Sequence, residues 1–246
     1  MDLARILSAG FLSVALSHPL AATPVHHQYE GKLGENRIGL TVIRTGNRIQ
    51  GGHYFYQKFL KDIPLTGSFD GSQITLDEMG TGTFRLHFVG SGSNGGRPLD
   101  FGNSVGMEGV WVSLDGARSY PVSLGGTTIW QGAEGERRYS GVTNESDAAF
   151  EQRVQSFYLA ALRGDKATAS RFIHYPLHVN FANGAKKTFR NSAQLLAAWN
   201  DVFTPLLLKK LEDALPHDMS IHRDGVMLGN GEAWFDARGL TALNVP

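Results

Sequence analysis

The 246-residue chain contains no cysteine, which excludes disulfides, thiolate metal sites, cysteine nucleophiles and cysteine-held iron–sulfur clusters. It has no surplus of either charge: 23 Lys and Arg balance 23 Asp and Glu, for a formal net charge of zero. That balance argues against a nucleic-acid partner, and against a polybasic membrane-surface protein, because both rely on bulk positive potential. Charged residues make up only 19% of the chain and apolar residues 41%, so the bulk of it is expected to fold. Beyond residue 22 no stretch reaches the 18 or so apolar residues that span a bilayer as a helix. Catalytic signatures are missing as well, with no H-E-x-x-H, no G-x-S-x-G elbow and no P-loop. Gly90-x-Gly92-x-x-Gly95 fits the dinucleotide fingerprint by letter. Arg97–Pro98 and another strand follow it, where the motif needs a helix N-terminus to hold pyrophosphate, so a strand connection is expected there.

What is present begins with an export signal. Arg5 and the terminal amine outweigh Asp2, Ile6–Leu16 is apolar, Ser17–His18–Pro19 breaks it, and Ala21 and Ala22 are small. Cleavage is placed after Ala22. The mature protein is expected to be periplasmic or secreted, with a stability that does not depend on an oxidising compartment.

From Tyr29 to Leu124 the chain reads as short strands: Arg37–Arg44, Ile49–Phe59, Ser72–Glu78, Thr83–Val89, Val105–Ser113 and Arg118–Leu124. Turn signals at Thr45–Gly46–Asn47, Asp70–Gly71–Ser72, Met79–Gly80 and Asp115–Gly116 separate them. Ile38, Leu40 and Val42 share one strand face, as do Phe84, Leu86 and Phe88 on theirs. The expectation is an antiparallel meander closed or bent into a small barrel. Gly125–Asn144 is rich in Gly, Glu and Arg and reads as a linker, with room for one more strand around Thr127–Gln131.

After the linker the hydrophobic period changes. Phe150, Val154, Phe157, Tyr158 and Ala161 mark an amphipathic helix entered through Asn144–Asp147 and ended by Gly164. Asp165 is placed to cap a second helix running to Phe172, and Leu177–Phe181 alternates as a strand before an Asn183–Gly184 turn. A third helix from Ser192 should bury Leu195, Trp199, Val202 and Phe203. Thr204–Pro205 restarts a fourth with Leu207 or Leu208, Leu211 and Leu215 inward. Met219–His222, Val226–Asp236 and Leu240–Val245 finish the chain as strands. The fold class is therefore α+β in two domains, divided as signal 1–22, all-β domain 23–126, linker 127–144 and α+β domain 145–246.

The order helix, Gly-Asp, helix, strand, hairpin, helices and closing strands resembles the nuclear transport factor 2-like superfamily, which includes ketosteroid isomerase and the SnoaL-type cyclases. FYLAALRGD (Phe157–Asp165) resembles the pattern that ends the family's first helix. The run from Phe172 to Phe181, a helix end leading into the first strand, is similar to the family's arrangement, and the closing segment GVMLGNGEAWF (Gly225–Phe235) resembles one in exported bacterial members that lack an assigned activity. The resemblance covers Asp147–Val245 and implies a cone of helices on a curved sheet around a cavity. It also implies an aspartate base on the first strand, but that position is Asn180 here, and an amide does not take a proton at neutral pH. The isomerase tyrosine of the first helix falls on Phe157, one place from Tyr158.

Candidate site residues follow from that cavity. Tyr158, His178, Asn180, Trp199 and Trp234 are the expected ligand-binding set, with His178 the best catalytic candidate, as a base, and Tyr158 as its donor. Glu232 and Asp236 flank Trp234 on one strand, an arrangement that lacks the opposed geometry of a glycosidase pair. His174 and His178 are four apart, but Pro176 lies between them, so no metal site is read there. Neither a metal nor a cofactor is expected.

Three functional readings remain: an exported, non-enzymatic binding protein of the bacterial cell envelope, an isomerase- or hydrolase-like enzyme using the C-terminal cavity, and a periplasmic immunity or inhibitor protein. The partner is a protein or a small apolar ligand, and Trp234 and Phe235 could pair two copies on the open sheet face.

Overall fold

The computed structural model describes residues 22–90, 96–133, 136–223 and 225–246. The segment expected to be an export signal, apart from Ala22, lies outside the described residues, as do residues 91–95 of the Gly90–Gly95 motif.

Eight antiparallel strands form a closed up-and-down barrel in chain order: β1 (Val25–Leu33), β2 (Asn36–Thr45), β3 (Arg48–Tyr56), β4 (Ile63–Phe69), β5 (Gln73–Glu78), β6 (Gly82–Val89), β7 (Gly106–Ser113) and β8 (Ser119–Gln131). β8 pairs back onto β1 from Leu33↔Val122 to Val25↔Gln131, so no strand edge is left open. Alternation dictates the filling. Ile38, Leu40, Val42, Ile74, Leu76 and Phe84 point inward and are essentially without solvent contact.

Two strands were not expected. β1 (VHHQYEGKL) carries polar residues on its outward face, yet there His26 is buried against Trp130 and Gly132, and Gln28 against Arg138 and Asp218. β4 (IPLTGSF) is short and carries both Pro and Gly. β8 also continues to Gln131, past the boundary placed at residue 126, because Thr128, Ile129 and Trp130 pair with Gln28, His27 and His26. Ile49–Phe59 ends as a strand at Tyr56, where Phe59 and Leu60 hydrogen-bond back to the Tyr56 carbonyl in a turn.

The C-terminal half is α+β. α1 (Asp147–Leu162) is capped by the Ser146 side chain and α2 (Lys166–Ser170) by that of Asp165. β9 (Ile173–Phe181) and β10 (Lys186–Phe189) form a hairpin, with Gly184 at φ 85° in its turn. α3 (Ser192–Ala197), α4 (Trp199–Val202) and α5 (Pro205–Glu212) follow, the last with Thr204 as N-cap and Pro205 in its first turn. The chain closes with β11 (Ser220–His222), β12 (Gly225–Leu228), β13 (Ala233–Phe235) and β14 (Leu240–Val245).

The sheet order is β10-β9-β14-β13-β12-β11, antiparallel throughout except for the parallel pair β9 and β14. Val226–Asp236, expected as one strand, is instead a hairpin, because Gly229 (φ 71°) and Gly231 (φ 100°) turn the chain between β12 and β13. Leu195, Trp199, Val202, Phe203, Leu207 and Leu211 all enter one core with Phe157, Leu243 and Phe235.

Candidate functional site

The outer faces of β1, β2 and β3 meet the segment between α5 and β11, and titratable side chains gather at that junction. His53 Nε2 lies 2.6 Å from Asp218 Oδ2, which also accepts from the Thr41 hydroxyl at 3.1 Å. Asp218 sits in the left-handed region at φ 51°, a conformation a short polar residue tolerates. Its carbonyl takes Gln28 Nε2 at 3.0 Å and an Arg138 guanidinium nitrogen at 2.9 Å, while its own N–H donates to Glu151 Oε1 at 2.9 Å. Tyr139 donates to Glu151 at 2.7 Å and accepts from the Met219 N–H at 2.9 Å. Phe55 lies against His217, edge to face at 4.4 Å, and its ring occupies the space where a side chain on Gly39 would begin.

His217 has a carboxylate against each ring nitrogen: Glu151 Oε2 at Nδ1, and Asp62 Oδ1 at Nε2, 2.8 Å away. Both contacts are satisfied only when both nitrogens carry protons, so the ring is an imidazolium. Burial opposes that charge, but the hydrogen bonds the ring donates to Asp62 and Glu151 and the surrounding negative charge outweigh it and raise the ring to about 10. Burial also works against protonated His53, and the bond and charge of Asp218, with the charge of Asp62, still raise its pKa. Asp218 is the mirror case. Burial would push its carboxyl up, yet His53, Arg138 and His217 hold it well below the usual carboxylate range.

Each charge in this cluster already has its partner, and the gap beside it measures about 10 Å³, space for one water at most. The cluster can hold two parts of the chain together. It has no room for a substrate.

Space exists at the barrel end formed by the β1–β2, β3–β4, β5–β6 and β7–β8 connections. A cleft of about 650 Å³ opens there, within the usual size range of small-molecule sites. Its floor is polar: Tyr54 Oη donates to Glu78 Oε2 at 2.9 Å and Trp111 Nε1 to the same oxygen at 3.2 Å. Tyr120 stacks on Trp111 with ring centroids 5.9 Å apart and remains 43% exposed at the rim. The Arg118 guanidinium lies 6.0 Å from the Trp111 ring. The alternation of β3, β7 and β8 sends these side chains into one barrel mouth.

The residues expected to line a C-terminal cavity are not gathered in one place. Tyr158 is buried and donates to the Glu212 carbonyl at 3.2 Å, and Trp199 is stacked on Phe203 at 3.9 Å inside the core. His178 and Asn180 lie on the exposed face of β9, near Thr188 Oγ1 (3.3 Å) and bonded to Asn244 Oδ1 (2.9 Å) respectively. Trp234 is half-buried, with Nε1 on the Gly231 carbonyl at 3.1 Å.

Of the two residues expected to pair copies on the open sheet face, Phe235 points instead into the helix-side core at 1% exposure. Glu232 is buried, accepting from the Asn230 N–H at 2.6 Å, and Asp236 is taken up by His174 at 2.6 Å. Among the described residues no group of three or more His, Asp or Glu side chains is arranged to hold a metal ion. No described helix is long and apolar enough to cross a membrane. Comparison with protein-family models, with curated proteins and with solved structures finds no match.

Proposed function

We propose that this is an exported, non-enzymatic binding protein of the bacterial cell envelope whose ligand sits at the mouth of the barrel. The observation that carries the reading is the 650 Å³ cleft, with the paired donors of Tyr54 and Trp111 on one Glu78 oxygen at its floor and Tyr120 at its rim. Few precisely placed polar groups in an aromatic wall are what fix the orientation of a bound small molecule. Export is supported by the pattern of Met1–Ala22. We also read the C-terminal half as a member of the nuclear transport factor 2-like superfamily that serves as scaffold. The family reading rests on FYLAALRGD (Phe157–Asp165) and the element order of the C-terminal half, and the scaffold role on the side chains that fill the space between its helices and sheet.

The test is a thermal-shift screen of the intact chain against neutral saccharides, quaternary amines, short peptides and apolar fragments, with Tyr120→Ala in parallel. A ligand at 100 times its Kd adds about 2.7 kcal/mol of stability, which such a screen detects readily. The expected result is a class whose shift disappears in Tyr120→Ala. Shifts that survive the substitution, or chemical turnover of a hit, would count against the proposal.

A further inference from the structure

We infer that the barrel mouth is built for a neutral pyranose saccharide, an inference that rests on reading this cleft as the binding site. The lining narrows the choice of ligand. An apolar ligand is disfavoured by the floor, where the Glu78 carboxylate would be stripped of water without a new partner. An anion would face Glu35 and Glu78 together. A cation would meet the Arg118 guanidinium, which already occupies the place over Trp111 that a cation would take.

What suits the remaining groups is an uncharged molecule with hydroxyls around a flat apolar face. Glu78 Oε1 has no hydrogen-bond partner among the described residues and can accept from a hydroxyl, while its other oxygen stays fixed by the floor. Asn36, Thr81 and Arg118 supply donors around the rim, and none of their side chains is tied up in a hydrogen bond among the described residues. Tyr120, stacked on Trp111 and 43% exposed, is the aromatic surface the rim offers to the apolar face of a sugar ring. An aromatic ring with an amphipathic edge gives contact area at little entropic cost, and the rim groups orient the hydroxyls.

Isothermal titration of the intact chain tests this with a panel of neutral di- and trisaccharides, with choline as the cationic probe and with glucuronate as the anionic one. Tyr120→Ala and Glu78→Gln are titrated alongside, and a melting curve of each variant establishes that it is folded. The expected result is saturable binding of a neutral saccharide, weakened at least tenfold by each substitution. Choline or glucuronate binding that depends on Tyr120 while the saccharides stay silent would overturn the ligand class and leave the site standing. If no probe binds, or if binding is indifferent to both substitutions, the site itself is wrong and the saccharide inference falls with it.

Discussion

His53 and Asp218, 165 residues apart in the chain, meet at 2.6 Å across the junction between the barrel and the α+β half. Asp218 also receives Thr41 from the barrel and binds Gln28 and Arg138 through its carbonyl, so one residue fixes several elements. Removing one partner of a half-buried charged hydrogen bond leaves the other unsatisfied, at a cost of about 1–3 kcal/mol. Asp218→Ala should therefore destabilise the chain by about that amount in urea unfolding. In an Asp218→Ala background, His53→Ala should add little, because the two changes remove the same contact. Full additivity of the two losses would show that the residues act independently.

The same cluster sets a pH dependence. His53 and His217 have raised pKa values, so their contribution is fully present below the free-histidine value of about 6.5. It fades as pH rises toward about 10, where His217 loses its proton. Asp218 is depressed, so its contribution is present above about 3.9 and is lost as pH falls below that value toward its folded pKa. Urea midpoints measured from pH 3 to 10 should fall on the alkaline side as His53 and His217 lose their protons. They should fall on the acid side as Asp218 takes one up and as His26 and His27, whose pKa values burial lowers, are forced to charge below about 6.5. His217→Gln should flatten the alkaline side. An alkaline limb as steep in the variant as in the wild type would remove His217 as its cause.

Gly39 is required by packing rather than by its backbone angle. A Cβ there would lie 2.3 Å from the Phe55 ring, which is itself held against His217. Gly39→Ala should cost about 1–3 kcal/mol by displacing that ring. Phe55→Ala should cost about 3–5 kcal/mol by emptying the space. Chemical denaturation of both variants checks the order, and a Gly39→Ala variant as stable as the wild type would show that the ring moves aside freely.

His178 and Asn180, the residues the family resemblance placed in a cavity, face solvent on β9. His178→Ala and Asn180→Ala should each change stability by no more than about 0.5 kcal/mol. Neither should alter ligand binding at the barrel mouth. A loss of binding in either variant would return attention to the C-terminal half.

Much of the architecture was legible because it follows local rules. The caps Ser146, Asp165 and Thr204 sit at helix starts where their side chains bond the first free N–H groups, and the alternation of Ile38, Leu40 and Val42 marks the barrel interior. β1 was hidden because its outer residues His26 and Gln28 are buried by residues more than 100 positions away, so the strand lacks a simple polar–apolar alternation. The Pro-His-Asp-Met run at 216–219 was hidden for the same reason, since its partners Asp62, Glu151 and His53 are 65 or more residues distant. The mouth cleft escaped notice because Tyr54, Glu78, Trp111 and Tyr120 converge only once the barrel closes. Alternating aromatics near strand ends were its one visible trace.

The most direct test of the barrel mouth as the binding site is amide hydrogen exchange of the intact chain, with and without a saturating saccharide from the titration panel. Slowed exchange should concentrate at residues 34–36, 79–81 and 118–121, the connections that rim the cleft. Protection confined to residues 177–181 and 230–246, on the exposed side of the C-terminal sheet, would contradict it.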